Sequence, residues 1–552
     1  MLRAPWAALL VATALLALAG CTRSSSEAPS APTPASARAP GSIPFRTPAD
    51  TFVFAINGEP ETLDPGRLRG VPETFIAINL FEGLVEYPRG EGEMVPGVAE
   101  RWTRSPDGRT YTFSLRKDAR WSNGDPVVAE DFRWSWLRVL DRKAASPYAD
   151  QLYVIAGAEA YFTGAQADPS TVGIRVVDPH TLVVELAYVA PWFLELAAFH
   201  TYRPVHRPTV EAFGDAWTRP EHMVSNGAFK LSAWVPNRHV ELVRSTTYWD
   251  NANVALAGAK VLPIQDSSTM TNLYEGGELD WSGAVDLPSI QLSALARWSG
   301  FRQDPYLATY FYRFNVTRPP LGDNRVRRAL SLAVDREAIE RVLEGGHRAA
   351  TTFVPPMQGW TSGDGRLSFD PDQARTLLAE AGFPEGRGFP RLTLEYNTQQ
   401  DHKQVAEMVQ QMWQRHLGVS IELKNLEWKV YLQSQTQLTF DLSRSAWVAD
   451  YHDPMTFLGL FKTGNGNNNT GWGDKEYDAL LDRANREGEP TARQALLREA
   501  ESALLLRGPV LPIYHYGHPM LLNPAVEGFE ANLLDLHPLK YLRKRSTDGA
   551  TP

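Results

Sequence analysis

Hydrophobic and polar positions alternate along several short stretches of this chain, the pattern expected of half-buried β-strands. In residues 110–116, for example, Tyr111, Phe113 and Leu115 fall on one face. The same pattern predicts strands over residues 51–56, 181–186, 239–243, 392–396 and 420–426.

Stretches with apolar residues at helical spacing lie between these predicted strands. Asp370 and Pro371 open one such stretch, which ends at Gly382, because Pro favours the first turn of a helix and Gly the position after the last turn. The spacing also predicts helices over residues 324–330, 401–417 and 489–506. Strands and helices mixed along the whole length indicate an α/β fold.

Composition places the chain among large globular proteins. Its 552 residues correspond to three or four units of about 150 residues. Hydrophobic residues make up 43% and charged residues 22%, which excludes a mostly disordered chain. Asp and Glu (64) outnumber Lys and Arg (55), giving a net charge of −9. A nucleic-acid-binding protein is not expected, because that function needs a basic face.

The N-terminus predicts export from the cytoplasm. Arg3 is followed by an apolar run from Ala4 to Ala19, too short for a comfortable membrane span of about 20 residues. The run ends in Leu18-Ala19-Gly20-Cys21, which matches a bacterial lipoprotein signal, and Cys21 is the single cysteine of the chain. We therefore expect a signal peptide over residues 1–20 and a lipid on Cys21; the alternative is a plain secretory signal.

Residues 21–50 are rich in Ser, Ala, Pro and Thr. Such a segment buries too little apolar surface to offset the entropy of ordering it, so we expect a flexible tether. The less favoured alternative is an arm packed on the body.

The motifs of common enzymes are missing from the sequence. It contains no H-E-x-x-H zinc helix, no G-x-S-x-G elbow and no Walker loop, and its cysteine is assigned to the lipid. We predict no cofactor and no metal site. Asp450 and Asp453 could imitate the paired acids of a glycosidase, so a hydrolase acting on peptides or glycans stays an alternative.

Residues 440–454 contain the most informative combination of charges. Arg444 precedes Trp447 by three residues, and Asp450 follows it by three. In an extended chain the two charges are at most about 20 Å apart, which suits a zwitterionic peptide of about three to five residues. The alternative is that both residues form ordinary surface ion pairs.

Several longer motifs are shared with one protein family. They are Leu63-Asp64-Pro65, Gly70-Val71-Pro72-Glu73, Leu80-Phe81-Glu82-Gly83-Leu84, Pro96-Gly97-Val98-Ala99-Glu100, Trp121-Ser122-Asn123-Gly124-Asp125-Pro126, Asn226-Gly227-Ala228-Phe229-Lys230-Leu231, Asp304-Pro305-Tyr306 and Ala449-Asp450-Tyr451. From about Asp50 to its C-terminus the chain resembles the periplasmic oligopeptide-binding proteins of ABC importers, within the family-5 solute-binding proteins.

The resemblance implies an α/β periplasmic binding protein fold of the type II, cluster C-like kind. Three lobes form two hinged halves that enclose the ligand. Lobe I would comprise residues 51–81, 207–307 and 518–545, lobe II residues 82–206, and lobe III residues 308–517.

The resemblance also assigns ligand-binding roles. It implies that Asp450 pairs with the α-ammonium of a peptide, that Arg444 helps to bind its carboxylate, and that His402 serves some ligand lengths. The peptide would lie as an extra strand along Gly70-Val71 and along Ala446-Trp447-Val448. The alternative for Trp447 is a structural role only, in which its side chain packs between lobes and does not contact the peptide.

One position departs from the family. Many relatives carry an acidic residue where this chain has Arg69, and we expect the change to shift the preference towards acidic peptides.

The implied partners are short peptides, the permease subunits of an ABC importer, and a cell-envelope membrane reached through the lipid on Cys21. A monomer is expected. Murein-derived peptides or another solute on the same scaffold, and a surface lipoprotein without a transport role, stay open.

Overall fold

The computed structural model describes residues 43–283, 285–363 and 365–545. The predicted signal peptide, Cys21 and most of the predicted tether lie outside these residues. The strands of the described part are β1 (Thr51–Ile56), β2 (Val85–Glu86), β3 (Val95–Pro96), β4 (Ala99–Arg104), β5 (Thr110–Leu115), β6 (Ile174–Asp178), β7 (Thr181–Glu185), β8 (Phe229–Val235), β9 (His239–Arg244), β10 (Gly258–Pro263), β11 (Phe301–Asp304), β12 (Ala308–Phe314), β13 (Arg348–Ala349), β14 (Leu392–Asn397), β15 (Ile421–Leu426), β16 (Leu442–Val448), β17 (Val510–His515), β18 (His518–Leu521), β19 (Val526–Glu527) and β20 (Arg543–Lys544).

Helices alternate with these strands. They are α1 (Val71–Leu80), α2 (Ala129–Val139), α3 (Ala158–Thr163), α4 (Phe193–Ala198), α5 (Arg207–Phe213), α6 (Ser267–Glu275), α7 (Leu292–Leu295), α8 (Asn324–Leu332), α9 (Arg336–Leu343), α10 (Pro371–Glu380), α11 (Gln400–Leu417), α12 (Trp428–Thr436), α13 (Met455–Leu458), α14 (Lys475–Arg486) and α15 (Pro490–Arg507).

Three sheets of four or six strands organise the described residues, beside three two-stranded sheets. Their strand orders are β1-β10-β9-β8, β4-β5-β7-β6 and β13-β17-β12-β16-β14-β15. The first sheet lies within the segments predicted as lobe I, the second within lobe II and the third within lobe III. The boundaries of the lobes themselves stay a prediction.

Local sequence signals give the expected elements. All six strands predicted from alternation are present, as β1, β5, β7, β9, β14 and β15. The side chain of Asp370 accepts a hydrogen bond from the backbone N–H of Gln373, and Pro371 occupies the first turn of α10. Helix α11 ends at Gly418, whose φ of 69° is left-handed and therefore favours glycine.

Strand β16 lies inside the third sheet but is only partly paired on one side. It pairs with β12 over its full length, from Leu442 to Val448. On the other side it pairs with β14 only at Leu442 and Ser443. Beyond Ser443 the β14-facing edge of β16 therefore has no strand neighbour among the described residues.

The predicted tether, residues 21–50, differs from the structure at its C-terminal end. Phe45 packs edge-to-face on Tyr274, with ring centroids 5.4 Å apart. The backbone N–H of Arg46 donates to the carbonyl oxygen of Gly277 at 2.7 Å, and Thr47 donates to Asp280. The prediction of a flexible segment is wrong for these residues, because Ile43 and Phe45 cover an apolar cluster of the first sheet.

Within the described residues, no helix combines the length and the apolar composition that crossing a bilayer requires.

Candidate functional site

A cavity of about 210 Å³ runs along β16 and brings most of the predicted site residues together. We call it the main cavity. The predicted residues on its wall are Arg69, Gly70, Val71, Arg444, Ala446, Trp447, Val448 and Asp450. Two distant parts of the chain, residues 69–71 and 444–450, thus face one space.

Asp450 is a buried carboxylate that has no cationic partner among the described residues. It is 7% exposed, and its Oδ2 accepts hydrogen bonds from Gln151 Nε2 at 2.7 Å and from Thr456 Oγ1 at 3.4 Å. Burial raises the pKa of Asp450 well above its usual range, because loss of water disfavours the charged form. A cation bound in the main cavity would reverse that effect.

Arg444 is the matching buried cation. It is also 7% exposed, and its guanidinium donates to Tyr516 Oη at 2.7 Å and to Asn397 Oδ1 at 3.3 Å. The guanidinium lies 4.7 Å from the centre of the Tyr310 ring, while its Nε has no hydrogen-bond partner in the described residues. These neighbours are all neutral, so the charge of Arg444 remains available to a carboxylate.

The open edge of β16 supplies main-chain hydrogen-bonding groups to the main cavity. The N–H of Ala449 donates to Leu307 in the direction of β12. Because successive residues of a strand point in opposite directions, Ala446 and Val448 direct their N–H and C=O groups to the other side. That side is the edge left open by β14, and both residues line the main cavity.

Trp447 packs across the main cavity. Its ring centroid is 6.1 Å from that of Tyr148, and its buried Nε1 has no partner in the described residues. Trp447 therefore both lines the main cavity and contacts the segment predicted as lobe II.

Gly70 and Val71 approach the main cavity at the start of α1. A Cβ on Gly70 would lie 2.3 Å from Glu73 Oε2 and 3.0 Å from the Trp428 ring, so a larger residue would force the Glu73 side chain to move. Val71 is the first residue of α1, and the helix itself does not use its N–H. A ligand would here meet a helix N-terminus, whereas the resemblance implies pairing along a strand.

Two further guanidinium groups line the main cavity. Arg69 donates from Nη1 to Thr436 Oγ1 at 2.6 Å. Arg313 is 3% exposed and donates to Ser445 Oγ at 3.1 Å and to the carbonyl oxygen of Asn467 at 2.7 Å. Burial lowers the pKa of Arg313 to about 10, so it stays charged at neutral pH.

His402 is the one predicted binding residue that the structure does not bring to the main-cavity wall. Its side chain is 1% exposed, packs 5.5 Å from the Tyr310 ring, and finds no hydrogen-bond partner for either ring nitrogen in the part of the chain that the structure describes. Burial, together with the charge of Arg444, lowers the pKa of His402 well below its ordinary value. His402 is thus a buried, neutral side chain close to Arg444 that does not line the main cavity.

Asp453 does not form an acid–base pair with Asp450. Arg493 binds both of its oxygens, at 2.7 and 2.8 Å, and Asp453 is absent from the main-cavity wall. The bidentate ion pair with Arg493 makes Asp453 a structural group. Among the described residues there is also no group of three His, Cys, Asp or Glu side chains that could hold a metal ion.

Residues 93–469 match the family described as bacterial extracellular solute-binding proteins, family 5. This chain belongs to that family. The family is one of binding proteins, which agrees with the predicted absence of enzymatic chemistry and places the protein outside the cytoplasm.

Three curated relatives of this family-5 protein cover most of its length. It is 38% identical to the periplasmic murein peptide-binding protein MppA of Escherichia coli, over 87% of this chain and 90% of that protein. It is 37% identical to the periplasmic oligopeptide-binding protein OppA of Salmonella typhimurium, over 87% and 89%. It is 36% identical to the probable deoxycholate-binding protein YgiS of E. coli, over 88% and 92%.

Solved structures of MppA confirm the predicted fold. One, described as the murein tripeptide binding protein, superposes with a TM-score of 0.85 at 36% identity, over 90% of this chain and 98% of that chain. A second, described as the unliganded open form, covers the same shares with a TM-score of only 0.60. The fold therefore exists in more than one arrangement of its halves, and the present family-5 structure does not have the open one.

Several contacts join residues 82–206 to residues 308–517 in this arrangement. The Gln151–Asp450 hydrogen bond is one of them. Trp192 stacks on Tyr451 with ring centroids 5.8 Å apart, and the backbone N–H of His452 donates to Glu195 at 2.8 Å.

Sequence reasoning missed several residues of this site. Gln151 is 299 positions away from the carboxylate that it binds, and no local pattern marks it. The same holds for Arg313 and Tyr516. A buried charge demands partners, but the linear sequence does not say which distant segment supplies them.

Proposed function

We propose that this protein binds short peptides with free termini in the main cavity and delivers them to an ABC importer. The observation that carries the proposal is that Asp450 and Arg444 lie buried on one cavity wall without an ion-pair partner among the described residues. A peptide zwitterion has the two opposite charges that this pair lacks.

Electrostatics favours this class of ligand. A buried charge is costly unless it is paired and hydrogen-bonded, so both groups gain when a ligand neutralises them. A ligand that carries only a carboxylate, such as a bile acid, would satisfy Arg444 and leave Asp450 desolvated. Peptides fit both groups, which supports them over the solute named for YgiS.

The open edge of β16 supports tolerance of many peptide sequences. Ala446 and Val448 offer main-chain groups, and main-chain pairing does not depend on ligand side chains. The murein-peptide and oligopeptide relatives are compatible with the same arrangement. A murein-derived peptide would have to satisfy Asp450 and Arg444 in the same way.

Calorimetry with ligand-free protein tests the proposal. A tripeptide and a pentapeptide with free N-termini should bind, and N-acetylation or Asp450→Asn should each weaken binding about 100-fold, because each leaves a buried group unpaired. Asp453→Asn is the matched control and should retain affinity. Equal affinity for free and acetylated peptides would refute the role of Asp450, and cleavage of the peptide would favour the hydrolase.

The proposal includes a lipid on Cys21, which would hold the protein at a membrane surface. The motif ending in Cys21 supports it. Intact mass of detergent-extracted protein should show a diacylglyceryl-sized addition, and Cys21→Ser should release the protein into the soluble fraction. An unmodified Cys21 would leave a plain secretory signal.

A further inference from the structure

A second cavity, of about 380 Å³, adjoins the main cavity at Asp450. The two cavities share a wall made of Tyr148, Trp447, Asp450 and Asn467. An ammonium group bound at Asp450 would therefore lie at the junction of the two spaces.

Acceptor oxygens without partners are concentrated on residues of the second cavity. Asp150 Oδ1, Gln151 Oε1 and Asn485 Oδ1 are all buried and lack a hydrogen-bond donor in the described part of the chain. Buried polar atoms normally have a hydrogen-bond partner, so these three oxygens indicate that a ligand with hydrogen-bond donors binds in this region.

The charges on this wall favour a cationic donor. Asp150 accepts one hydrogen bond, from Asn465 Nδ2 at 2.7 Å, and has no ion-pair partner among the described residues. Burial raises the pKa of Asp150 to about 7, which a cation would oppose. Of the basic residues on the wall, Lys462 forms its ion pair with Asp482 at 2.6 Å and lowers the pKa of Asp150 less than burial raises it, and Arg142 is exposed to solvent.

Aromatic rings complete the wall. Tyr153, Tyr188 and Tyr451 line the second cavity. Rings next to a carboxylate form an environment that favours cations, since ring faces attract positive charge. A lysine ammonium or an arginine guanidinium supplies several donors for acceptors of this kind.

Resting on the proposed function, we infer that the second cavity binds the basic side chain of the first residue of the peptide, and that Asp150 determines this preference. The side chain of the first residue leaves the Cα atom next to the ammonium. When that ammonium binds Asp450, the side chain of the first residue begins at the junction of the two cavities and can extend into the second cavity.

Calorimetry with tripeptides that differ only in the first residue tests this inference. Lys-Ala-Ala should bind wild-type protein about tenfold more tightly than norleucine-Ala-Ala, a neutral peptide of similar shape. Asp150→Asn should reduce the ratio to near one without weakening norleucine-Ala-Ala. Asp118→Asn, at an exposed carboxylate of the same segment, should keep the tenfold ratio.

The outcomes separate this inference from the proposed function. If Ala-Ala-Ala binds but lysine and norleucine peptides bind equally, the preference for a basic first residue is refuted and peptide binding stands. The wild-type series decides this even if Asp150→Asn fails to fold. If none of the tripeptides binds, the proposed function fails, and the inference fails with it.

Discussion

The two charged groups of the main cavity are held in different ways. Arg444 contacts Asn397, Tyr310 and Tyr516, all from the segment 308–517 that also contains Arg444 itself. Asp450 instead accepts its shortest side-chain hydrogen bond from Gln151, which belongs to the segment 82–206.

This difference separates a preformed half of the site from one that is assembled. The surroundings of Arg444 need no movement of one segment against another. Those of Asp450 include a contact that exists only when the two segments meet. We therefore expect the ligand carboxylate to be bound on a rigid surface, and the ligand ammonium to be enclosed when the two halves of the protein close.

Among the variants that compare the surroundings of the two charges, the largest effect should come from the preformed half. Arg444→Gln should weaken peptides with a free C-terminus by about 10- to 100-fold, because it removes a charge-assisted contact. C-terminal amidation should weaken wild-type binding similarly and add little in the variant. Calorimetry on the four combinations measures this.

Arg391→Gln, at an exposed residue just before β14, is the control and should bind normally. If amidation weakens the Arg444→Gln variant as much as the wild type, the carboxylate does not bind at Arg444. The preformed half would then have another role.

An intermediate effect should come from the assembled half. Gln151→Ala should weaken binding about five- to tenfold, mainly through faster dissociation, because the Gln151–Asp450 bond forms on closure. Stopped-flow measurement of association and dissociation with a fluorescent peptide separates the two rates. Gln166→Ala, at an exposed residue of the same segment, should change neither. A slower association with unchanged dissociation would contradict the comparison.

The smallest effect should appear in the pH dependence of closure. A hydrogen bond to Glu195, in the segment 82–206, raises the pKa of His452 above its ordinary value, and Glu91 faces the same ring. The pKa is raised in the closed form, so this stabilisation is complete below about pH 6.5. It is lost as the pH rises through the raised pKa.

Peptide affinity should accordingly fall a few-fold from pH 6 to pH 8.5, a small change because His452 is partly exposed. Glu195→Gln should flatten this part of the profile, whereas Glu130→Gln, at an exposed position on α2, should not. Profiles that coincide for wild type and Glu195→Gln would show that His452 does not couple closure to pH.

Much of the secondary structure could be predicted from short stretches of sequence. Asp370, Pro371 and Gly418 act on the backbone within a few residues, so their effect is readable without the fold. Alternation located β1, β5 and β14 for the same reason. The end of the predicted tether was misjudged because the partner of Phe45, Tyr274, lies far along the chain.

The candidate site was predictable only in part. The spacing of Arg444 and Asp450 around Trp447 indicated a binding strand, and both charges do line one cavity. His402 was assigned through the resemblance, yet its ring lies behind Arg444, away from the main-cavity wall. Whether a side chain faces a cavity depends on how α11 packs on its sheet, which the motif does not record.

The sequence by itself determined the family, the α/β elements and the strand that carries both charges, because these follow from neighbouring residues and shared motifs. Only the tertiary structure decided that Asp450 and Arg444 are buried without countercharges and that Gln151 reaches Asp450. The second cavity beside Asp150 likewise became visible only in the tertiary structure. Segments that are distant in sequence meet in space, and they set how far a charged side chain is removed from water and which groups surround it. The free energy of a buried charge therefore depends both on the groups that contact it and on the lack of a countercharge nearby.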